Sequence, residues 1–128
     1  METPRARVIR GDDAEATPGP PTPGMDRHQL VDDDRVWVGR VRTEAGLAGG
    51  WHTHGDRDSY VYILDGSIAI EFGPGGRERV VAGAGDLVVN PARLVHREIT
   101  GADGPGDLLV VRVGSGPLNV NLDGPDPA

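Results

Sequence analysis

The chain has 128 residues, no cysteine and a formal net charge of −7. That length fits one domain with a single core, and the lack of cysteine excludes disulfides, thiolate nucleophiles and cysteine-ligated metal sites. The acidic charge argues against nucleic-acid binding, which needs a basic surface. No apolar run approaches the roughly 20 residues of a membrane-spanning helix, and the N-terminus does not have the pattern of a signal peptide. We therefore expect a cytoplasmic protein without membrane contact.

The first 34 residues are rich in proline, glycine and charged side chains. Pro18, Pro20, Pro21 and Pro23 fall close together, which forbids a regular helix or a central strand there. We therefore predict that residues 1–34 form an N-terminal arm, partly extended or disordered. Such an arm is either a solvated tail or a segment that packs on a partner subunit.

From residue 35 onward, short segments rich in β-branched and aromatic residues alternate with turns that contain glycine and proline. These predicted strands span residues 35–42, 59–65, 67–72, 77–81, 86–90, 94–100 and 107–113. The turn GPGG joins the third and fourth of them into a predicted hairpin. No window shows the 3.6-residue period of a helix. The pattern predicts a single all-β sandwich or barrel domain over residues 35–115, followed by a C-terminal tail over residues 116–128.

Two histidines, His52 and His54, precede the second predicted strand and are separated by one residue. In an extended chain, residues i and i+2 project to the same side, so both imidazoles would enter the same space. Two imidazoles on one face are a natural pair of metal ligands. The spacing alone is weak evidence, because two histidines so placed also occur on ordinary surfaces.

The residues around this pair resemble the first sequence motif of the cupin family. That motif has the form G-(x)5-H-x-H-(x)3,4-E-(x)6-G. In this chain Gly46, His52, His54 and Gly66 match it at the expected spacings.

A second cupin motif, of the form G-(x)5-P-x-G-(x)2-H-(x)3-N, is matched by Gly85, Pro91 and His96. The resemblance covers most of residues 36–113, with the predicted hairpin between the two motifs. It implies a small single-domain cupin, whose fold is a double-stranded β-helix, or jelly-roll barrel, with a metal ion at its centre. It also implies that His96 and the two earlier histidines are ligands of that ion.

The glutamate of the first motif has no counterpart in this chain. Its position falls on Ser59, whose hydroxyl is a poor replacement for a carboxylate ligand. Asp58 fits the shorter spacing of the motif, but ideal alternation turns it to the opposite face unless a bulge re-aims it inward. The expected centre therefore has three histidines, with Asp58 as a candidate fourth ligand. Fe, Mn, Ni, Cu and Zn all suit such a site, and the sequence does not choose among them.

The second motif is also incomplete, since Arg93 stands where it has glycine and Thr100 where it has asparagine. An arginine near the mouth of a barrel could hold a substrate carboxylate, so Arg93 is a candidate catalytic residue. The simpler alternative is an exposed loop arginine. Glu98 shares a strand face with His96 and is a second candidate, either as an acid or base or as a group that supports a ligand.

Other polar and aromatic residues give weaker signals. Tyr60 and Tyr62 are expected to face away from the barrel interior, because side chains alternate along a strand. Trp37 and Arg112 could line a pocket, but the register of their strands does not follow from the sequence. His28 is expected to be an ordinary surface histidine.

Three functional hypotheses remain, because one fold hosts many functions. Three neutral histidines leave the charge of a divalent ion uncompensated and keep positions open, which favours a small chelating or anionic ligand. The leading hypothesis, by analogy with three-histidine dioxygenases of this fold, is a metal-dependent dioxygenase. The alternatives are a non-oxidative metal-dependent isomerase, cyclase or lyase, and a non-catalytic small-molecule sensor. The family resemblance also implies a homodimer.

Overall fold

The fold is given by a computed structural model, which describes residues 3–17 and 22–127. Pro18, Pro20 and Pro21, on which the predicted arm depends, lie outside these residues. The described strands, in chain order, are β1 (Glu15–Ala16), β2 (Met25–Asp32), β3 (Val36–Thr43), β4 (His52–Thr53), β5 (Asp58–Asp65), β6 (Ser67–Phe72), β7 (Glu78–Gly83), β8 (Leu87–Asn90), β9 (His96–Thr100), β10 (Gly106–Val113) and β11 (Val120–Asn121). Two short 3₁₀ turns span Gly11–Asp13 and Pro74–Gly76.

The strands form two antiparallel sheets that enclose the core between them. The first sheet has six strands in the order β1-β2-β3-β10-β5-β8, and the second has five in the order β11-β4-β9-β6-β7. The predicted hairpin is present as β6 and β7, which pair along their whole length. The chain passes repeatedly between the two sheets, as in a jelly roll, so the predicted all-β fold is confirmed. Within the described part of the chain, no helix has the length and apolar character needed to cross a membrane.

Alternation along the strands determines which side chains face the interior. In β5, Ser59, Val61 and Ile63 are buried, whereas Tyr62 and Leu64 are exposed. Burying one aliphatic side chain of this kind contributes about 1.5–3 kcal/mol. Inward-facing apolar side chains from both sheets make up the core: Trp37, Val41, Val61, Ile63, Ile68, Ile70, Ala82, Val88, Leu108 and Val110.

Two segments beyond the predicted barrel belong to the sheets. Residues 25–32, which the sequence pattern assigns to the N-terminal arm, form β2 and pair with β3. Residues 120–121, assigned to the C-terminal tail, form β11 and pair with β4. The alternation that marks a strand is interrupted in β2, because its pairing shifts between Gln29 and Val31.

Trp37 is fully buried, and its indole ring lies across its own strand. The ring covers Gly39, where a Cβ atom would overlap with it. On the neighbouring strand β10, the guanidinium carbon of Arg112 lies 5.0 Å from the centroid of the same ring. Gly39 therefore leaves the space that lets Trp37 support Arg112.

An ion pair links β3 and β10 on the outer side of the first sheet. Arg40 donates from Nε to Oδ1 of Asp107 at 2.8 Å and from a terminal nitrogen to Oδ2 at 2.6 Å. The hydrogen bonding from Arg40 holds the pKa of Asp107 below its ordinary value, against the opposing effect of burial. A carboxyl group with a lowered folded-state pKa stabilises the fold above its unfolded pKa, and the stabilisation is lost as the pH falls through the folded value.

Replacing Gly39 with alanine tests the packing under Trp37. We expect Gly39→Ala to lower the free energy of unfolding by about 2–3 kcal/mol, because the new methyl group forces the buried ring out of its place. Urea denaturation followed by circular dichroism measures the change. Gly104→Ala is the matched control, since no atom lies within 4 Å of a Cβ there. An equal loss in the two variants would contradict the packing argument.

Replacing Asp107 with asparagine tests the ion pair. Asp107→Asn is expected to cost about 0.5–1 kcal/mol at pH 7, as for a partly exposed pair with two hydrogen bonds. The cost should shrink as the pH falls below about 4, where the carboxyl group is protonated first in the unfolded chain and then, at its lower pKa, in the folded protein. Urea denaturation at pH 7 and pH 3 measures this, with Asp103→Asn in an exposed loop as the control. A cost that does not change with pH would show that charge is not its source.

Candidate metal centre

His52 and His96 lie opposite each other in the second sheet. β4 and β9 pair in the register His52↔His96, and the centroids of the two rings are 4.4 Å apart. His54 follows directly after β4, with its ring centroid 4.9 Å from that of His52 and 5.1 Å from that of His96. All three side chains are buried. The pairing of β4 with β9 thus brings His96 to His52 and His54, from which it is distant in the sequence.

Glu98 adds a carboxylate to the same place. It lies two residues after His96 on β9 and therefore shares its face. Its Oε1 is 3.1 Å from Nε2 of His96, and its Oε2 is 3.7 Å from Nε2 of His52. One ligand atom from each of the three histidines and from Glu98 lies within 4.8 Å of the others. We call these four residues the His₃Glu cluster; they could hold a metal ion.

Backbone carbonyl groups orient each imidazole of the cluster. The Nδ1 atoms donate to carbonyl oxygens as follows: His52 to Gly50 at 2.9 Å, His54 to Leu118 at 2.8 Å and His96 to Leu94 at 2.9 Å. Because a carbonyl only accepts, Nδ1 carries the proton in each ring. The lone pair of a neutral ring is then on Nε2, and this is the arrangement in which a histidine binds metal while its other nitrogen is held in place.

The titration of the cluster is set by burial and by Glu98. Burial lowers the pKa of His52, and burial with the nearby charge of Arg112 lowers that of His54 to about 3. Burial acts on His96 in the same direction, but the hydrogen bond and charge of Glu98 outweigh it and raise the pKa of His96. Burial would raise the pKa of Glu98, yet the hydrogen bond from His96 and the neighbouring histidines lower it to about 2. Glu98 is therefore an anion at neutral pH.

The donor set fits a divalent transition metal. Three imidazoles and one carboxylate suit Fe, Mn, Ni, Cu or Zn, and the carboxylate offsets one of the two positive charges of the ion. The short contact between His96 and Glu98 requires a proton between two groups that otherwise only accept. A metal cation held at this point would take the place of that proton, so proton and metal would compete for the same atoms.

Asp58, the candidate fourth ligand, lies outside the cluster. Its Oδ1 accepts a hydrogen bond from the Ala92 N–H at 2.9 Å, in the loop that leads to β9. The pairing of β5 with β10 begins regularly at Asp58↔Val113, so no bulge turns Asp58 inward. The structure instead places the carboxylate of Glu98 beside the histidines, and Asp58 holds the loop that precedes β9.

Arg93 also lies away from the cluster. Its side chain is 81% exposed, and its Nε is 3.1 Å from Oδ1 of Asp56. Its backbone φ of 66° lies in the left-handed region that favours glycine, which accounts for the glycine of the motif at this position. Thr100, the other departure from the second motif, is buried and donates to Oγ1 of Thr43 at 2.7 Å. Neither residue brings a functional group to the histidines.

A cavity of about 120 Å³ lies beside the cluster. His52 and Glu98 form part of its wall, and its polar lining also includes Ser59, Arg27 and Arg112. The apolar lining comes from both sheets and includes Val41, Val61, Ile68, Leu108 and Val110. A cavity of about 150 Å³ admits benzene, so the space here fits about five or six non-hydrogen atoms.

Ser59 and Arg112 lie opposite each other on β5 and β10. Ser59 is fully buried, and its Oγ has no hydrogen-bond partner; the Nε of Arg112 is also buried without one. Among the described residues, no carboxylate lies within ion-pair distance of the Arg112 guanidinium. The cavity thus contains two polar groups without partners, in addition to the His₃Glu cluster.

Positive charge dominates the cavity outside the cluster. Burial lowers the pKa of Arg112, Glu98 partly offsets this, and the charges of Arg27 and Arg57 lower it further, to about 10. Arg112 therefore stays protonated at neutral pH. Glu98 is the one carboxylate among the described residues that line the cavity. A protein of net charge −7 thus keeps an excess of cationic side chains at this site.

The inward orientation of Arg112 could not be read from its strand alone. Arg112 is in phase with the buried residues Leu108 and Val110. However, Leu109 and Val111 on the other face are equally apolar, so alternation does not select the inward side. The pairing of β10 with β5 determines that Arg112 faces the interior, and this pairing joins strands that are far apart in the sequence.

Solved structures with a similar fold include three proteins with named activities. The polyketide cyclase RemF from Streptomyces resistomycificus matches with a TM-score of 0.73 and 20% identity, over 92% of this chain and 86% of that chain. Oxalate decarboxylase from Bacillus subtilis matches with a TM-score of 0.68 and 20% identity, over 80% and 28%. A sugar phosphate isomerase from Silicibacter pomeroyi matches with a TM-score of 0.68 and 21% identity, over 85% and 76%. Identities at this level show a shared fold alone.

No curated protein matches the sequence. The family model for the cupin domain matches residues 39–112, which is more than half of the chain. That span contains β4, β9 and every residue of the His₃Glu cluster. The resemblance identified from the two motifs is thereby confirmed, and the chain belongs to the cupin family.

Proposed function

We propose that this protein is a metal-dependent enzyme that acts on a small anionic organic substrate by Lewis-acid chemistry, in the class of isomerases, cyclases and lyases. The observation that carries the proposal is the His₃Glu cluster, of which His52 and Glu98 stand in the wall of a cavity whose other charged groups are arginines. Four protein ligands leave up to two positions on a six-coordinate ion, and a chelating substrate needs two. The arginines favour a substrate that carries negative charge.

The residues of the cavity have separate tasks in this proposal. The three histidines and Glu98 hold the ion, which when bound supplies a Lewis acid that makes a C–H group beside a coordinated carbonyl more acidic. Glu98 is the one carboxylate in the described lining, so it is the group placed to accept that proton. Arg112 stabilises the negative charge that develops on the substrate. The apolar walls limit access of water, which strengthens these interactions.

A dioxygenase becomes the second candidate. The analogy with dioxygenases depends on three neutral histidines without a carboxylate, whereas Glu98 adds a carboxylate to the cluster. The oxygenase is retained because an imidazole-rich site suits Fe as well as Zn or Ni. A non-catalytic sensor is the third candidate.

Replacing Glu98 tests the metal site. Glu98→Gln is expected to weaken the affinity for Zn²⁺ by about 10–100-fold, because the charged ligand is lost while its shape is kept. Calorimetric titration of the EDTA-treated protein with Zn²⁺ measures the affinity. Elemental analysis of the wild-type protein as purified should give about one equivalent of divalent metal.

Two matched variants serve as controls for this titration. Asp58→Asn keeps an oxygen that can accept the hydrogen bond from Ala92, so its Zn²⁺ affinity should equal that of the wild type. His28→Ala removes a histidine that is hydrogen-bonded to Asp26 far along the chain from the cluster, and should also have no effect. A larger loss in Asp58→Asn than in Glu98→Gln would assign the carboxylate ligand to Asp58 instead.

Proton exchange tests the catalytic part of the proposal. Under strict anaerobiosis, protein loaded with Zn²⁺ or Ni²⁺ should exchange the methyl protons of pyruvate with D₂O at least about 100-fold faster than the free ion at the same concentration. Proton NMR follows the exchange. When Glu98→Gln is saturated with metal, its exchange rate should be at least about tenfold lower than that of the wild type.

The outcomes of this experiment separate the three candidates. Oxygen uptake by Fe-loaded protein, without anaerobic exchange, would favour the dioxygenase. Metal and pyruvate binding with neither exchange nor oxygen uptake would favour the sensor. If the protein binds no metal under any condition, both the non-oxidative enzyme and the dioxygenase are refuted.

A further inference from the structure

We propose that Arg112 and Ser59 form a carboxylate-binding subsite in the cavity, and that the substrate is a short carboxylate of two or three carbons, such as a 2-oxo acid. This inference deepens the proposed function and rests on it for the role of the metal. The subsite itself is a property of the chain without the ion, so it can be tested separately.

The first argument is the unmet hydrogen-bonding capacity of these two residues. Arg112 and Ser59 are paired across β10 and β5, and both line the cavity. The buried Nε of Arg112 and the buried Oγ of Ser59 have no partner. A buried charged donor without an acceptor is costly, and such groups in folded proteins call for an explanation. A carboxylate accepts from both, since a guanidinium offers two parallel N–H groups and a hydroxyl offers one more.

The second argument is the lack of a competing acid. Glu98 is the one carboxylate of the described cavity lining, and its Oε1 is engaged by Nε2 of His96 at 3.1 Å. The two neighbouring arginines cannot neutralise Arg112, and their own contacts are to neutral groups. Arg27 donates to Sδ of Met25 at 3.0 Å, and Arg57 donates to the carbonyl of Gly116 at 3.1 Å. The charge of Glu98 acts on Arg112 without forming an ion pair with it, so among the described residues the place of a direct anionic partner is left to a ligand.

The third argument is the identity of residue 59. A carboxylate side chain at this position would lie opposite Arg112 in the same ladder and would neutralise it. Serine instead leaves the guanidinium unpaired and contributes a small donor. Trp37 holds the guanidinium from below at 5.0 Å, which restricts its orientation without satisfying its N–H groups. The combination gives a charged group that is fixed in place and free of an internal partner.

The size of the cavity limits the ligand. A volume of about 120 Å³ fits about five or six non-hydrogen atoms. A carboxylate group takes three of these, and the remaining two or three suffice for a carbonyl group with or without one further carbon. His52 and Glu98 line the same cavity and are the cluster residues that such a remainder could reach. A 2-oxo acid of this size also has the two adjacent oxygen atoms that chelation requires.

Binding to metal-free protein tests the subsite. The EDTA-treated protein is titrated in low-chloride buffer with pyruvate and with pyruvamide, which has the same number of non-hydrogen atoms but no charge. Pyruvate should bind at least about tenfold more tightly than pyruvamide. Arg112→Met should lower the pyruvate affinity at least about tenfold and leave that of pyruvamide unchanged, and Ser59→Glu should abolish pyruvate binding.

Arg97→Met provides the matched control. The guanidinium carbon of Arg97 lies 4.7 Å from the ring centroid of Trp51, so it is stacked in the same way as Arg112. It is paired with Glu71 and does not line the cavity. Its replacement should leave the pyruvate affinity unchanged. Should Arg112→Met fail to fold, Arg112→Lys and Ser59→Ala take its place, and each should weaken pyruvate binding at least about threefold without affecting pyruvamide.

Equal affinities for pyruvate and pyruvamide, or a pyruvate affinity that the Arg112 and Ser59 variants do not change, would overturn the subsite. The two proposals fail in different ways. Protein that binds pyruvate through Arg112 but never binds metal would refute the proposed function and leave the subsite intact. Protein that binds metal and catalyses exchange, with no dependence of pyruvate binding on Arg112, would refute the subsite alone.

Discussion

Three backbone carbonyl groups hold the imidazoles of the His₃Glu cluster, and the properties of the centre follow from this constraint. They belong to Gly50 before β4, Leu94 before β9 and Leu118 in the C-terminal segment. Because carbonyl groups accept but never donate, each ring has its proton on Nδ1 and presents Nε2 as a ligand. All three carbonyl groups belong to segments that lead directly into β4, β9 or β11, so the ligand geometry depends on the backbone more than on side-chain rotamers. A metal ion then enters a site that needs little rearrangement.

The second feature of the centre is a reversal of charge between surface and interior. The chain is acidic overall, whereas the cavity beside the cluster contains Arg27 and Arg112 and the one carboxylate of Glu98. Keeping an unpaired guanidinium inside a β-barrel has a cost, and the packing around it reduces that cost. Gly39 allows Trp37 to lie flat, and the ring supports Arg112. A local arrangement that costs stability and is supported by its surroundings is typical of functional sites.

The strand pattern predicts an all-β domain, whereas the jelly roll and the meeting of the three histidines are predicted by the resemblance to the two cupin motifs. Alternation also turns Asp58 outward and puts Glu98 in phase with His96, and the structure agrees on both points. What the sequence does not contain is the distance between strands. Only the pairing of β4 with β9 shows that Glu98 reaches two histidines, and only the pairing of β10 with β5 turns Arg112 inward.

The segment that contains Leu118 limits where the chain can be truncated without disturbing the cluster. The cupin family model ends at residue 112, yet the carbonyl group that orients His54 belongs to residue 118, and the strand that covers β4 ends at Asn121. At the other end, Arg27 and Met25 enter the cavity from a strand that precedes the matched span. The span matched by the family model is therefore shorter than the part of the chain that builds the cluster and its cavity. A chain cut at the family boundaries would keep all four cluster residues and lose part of what orients and encloses them.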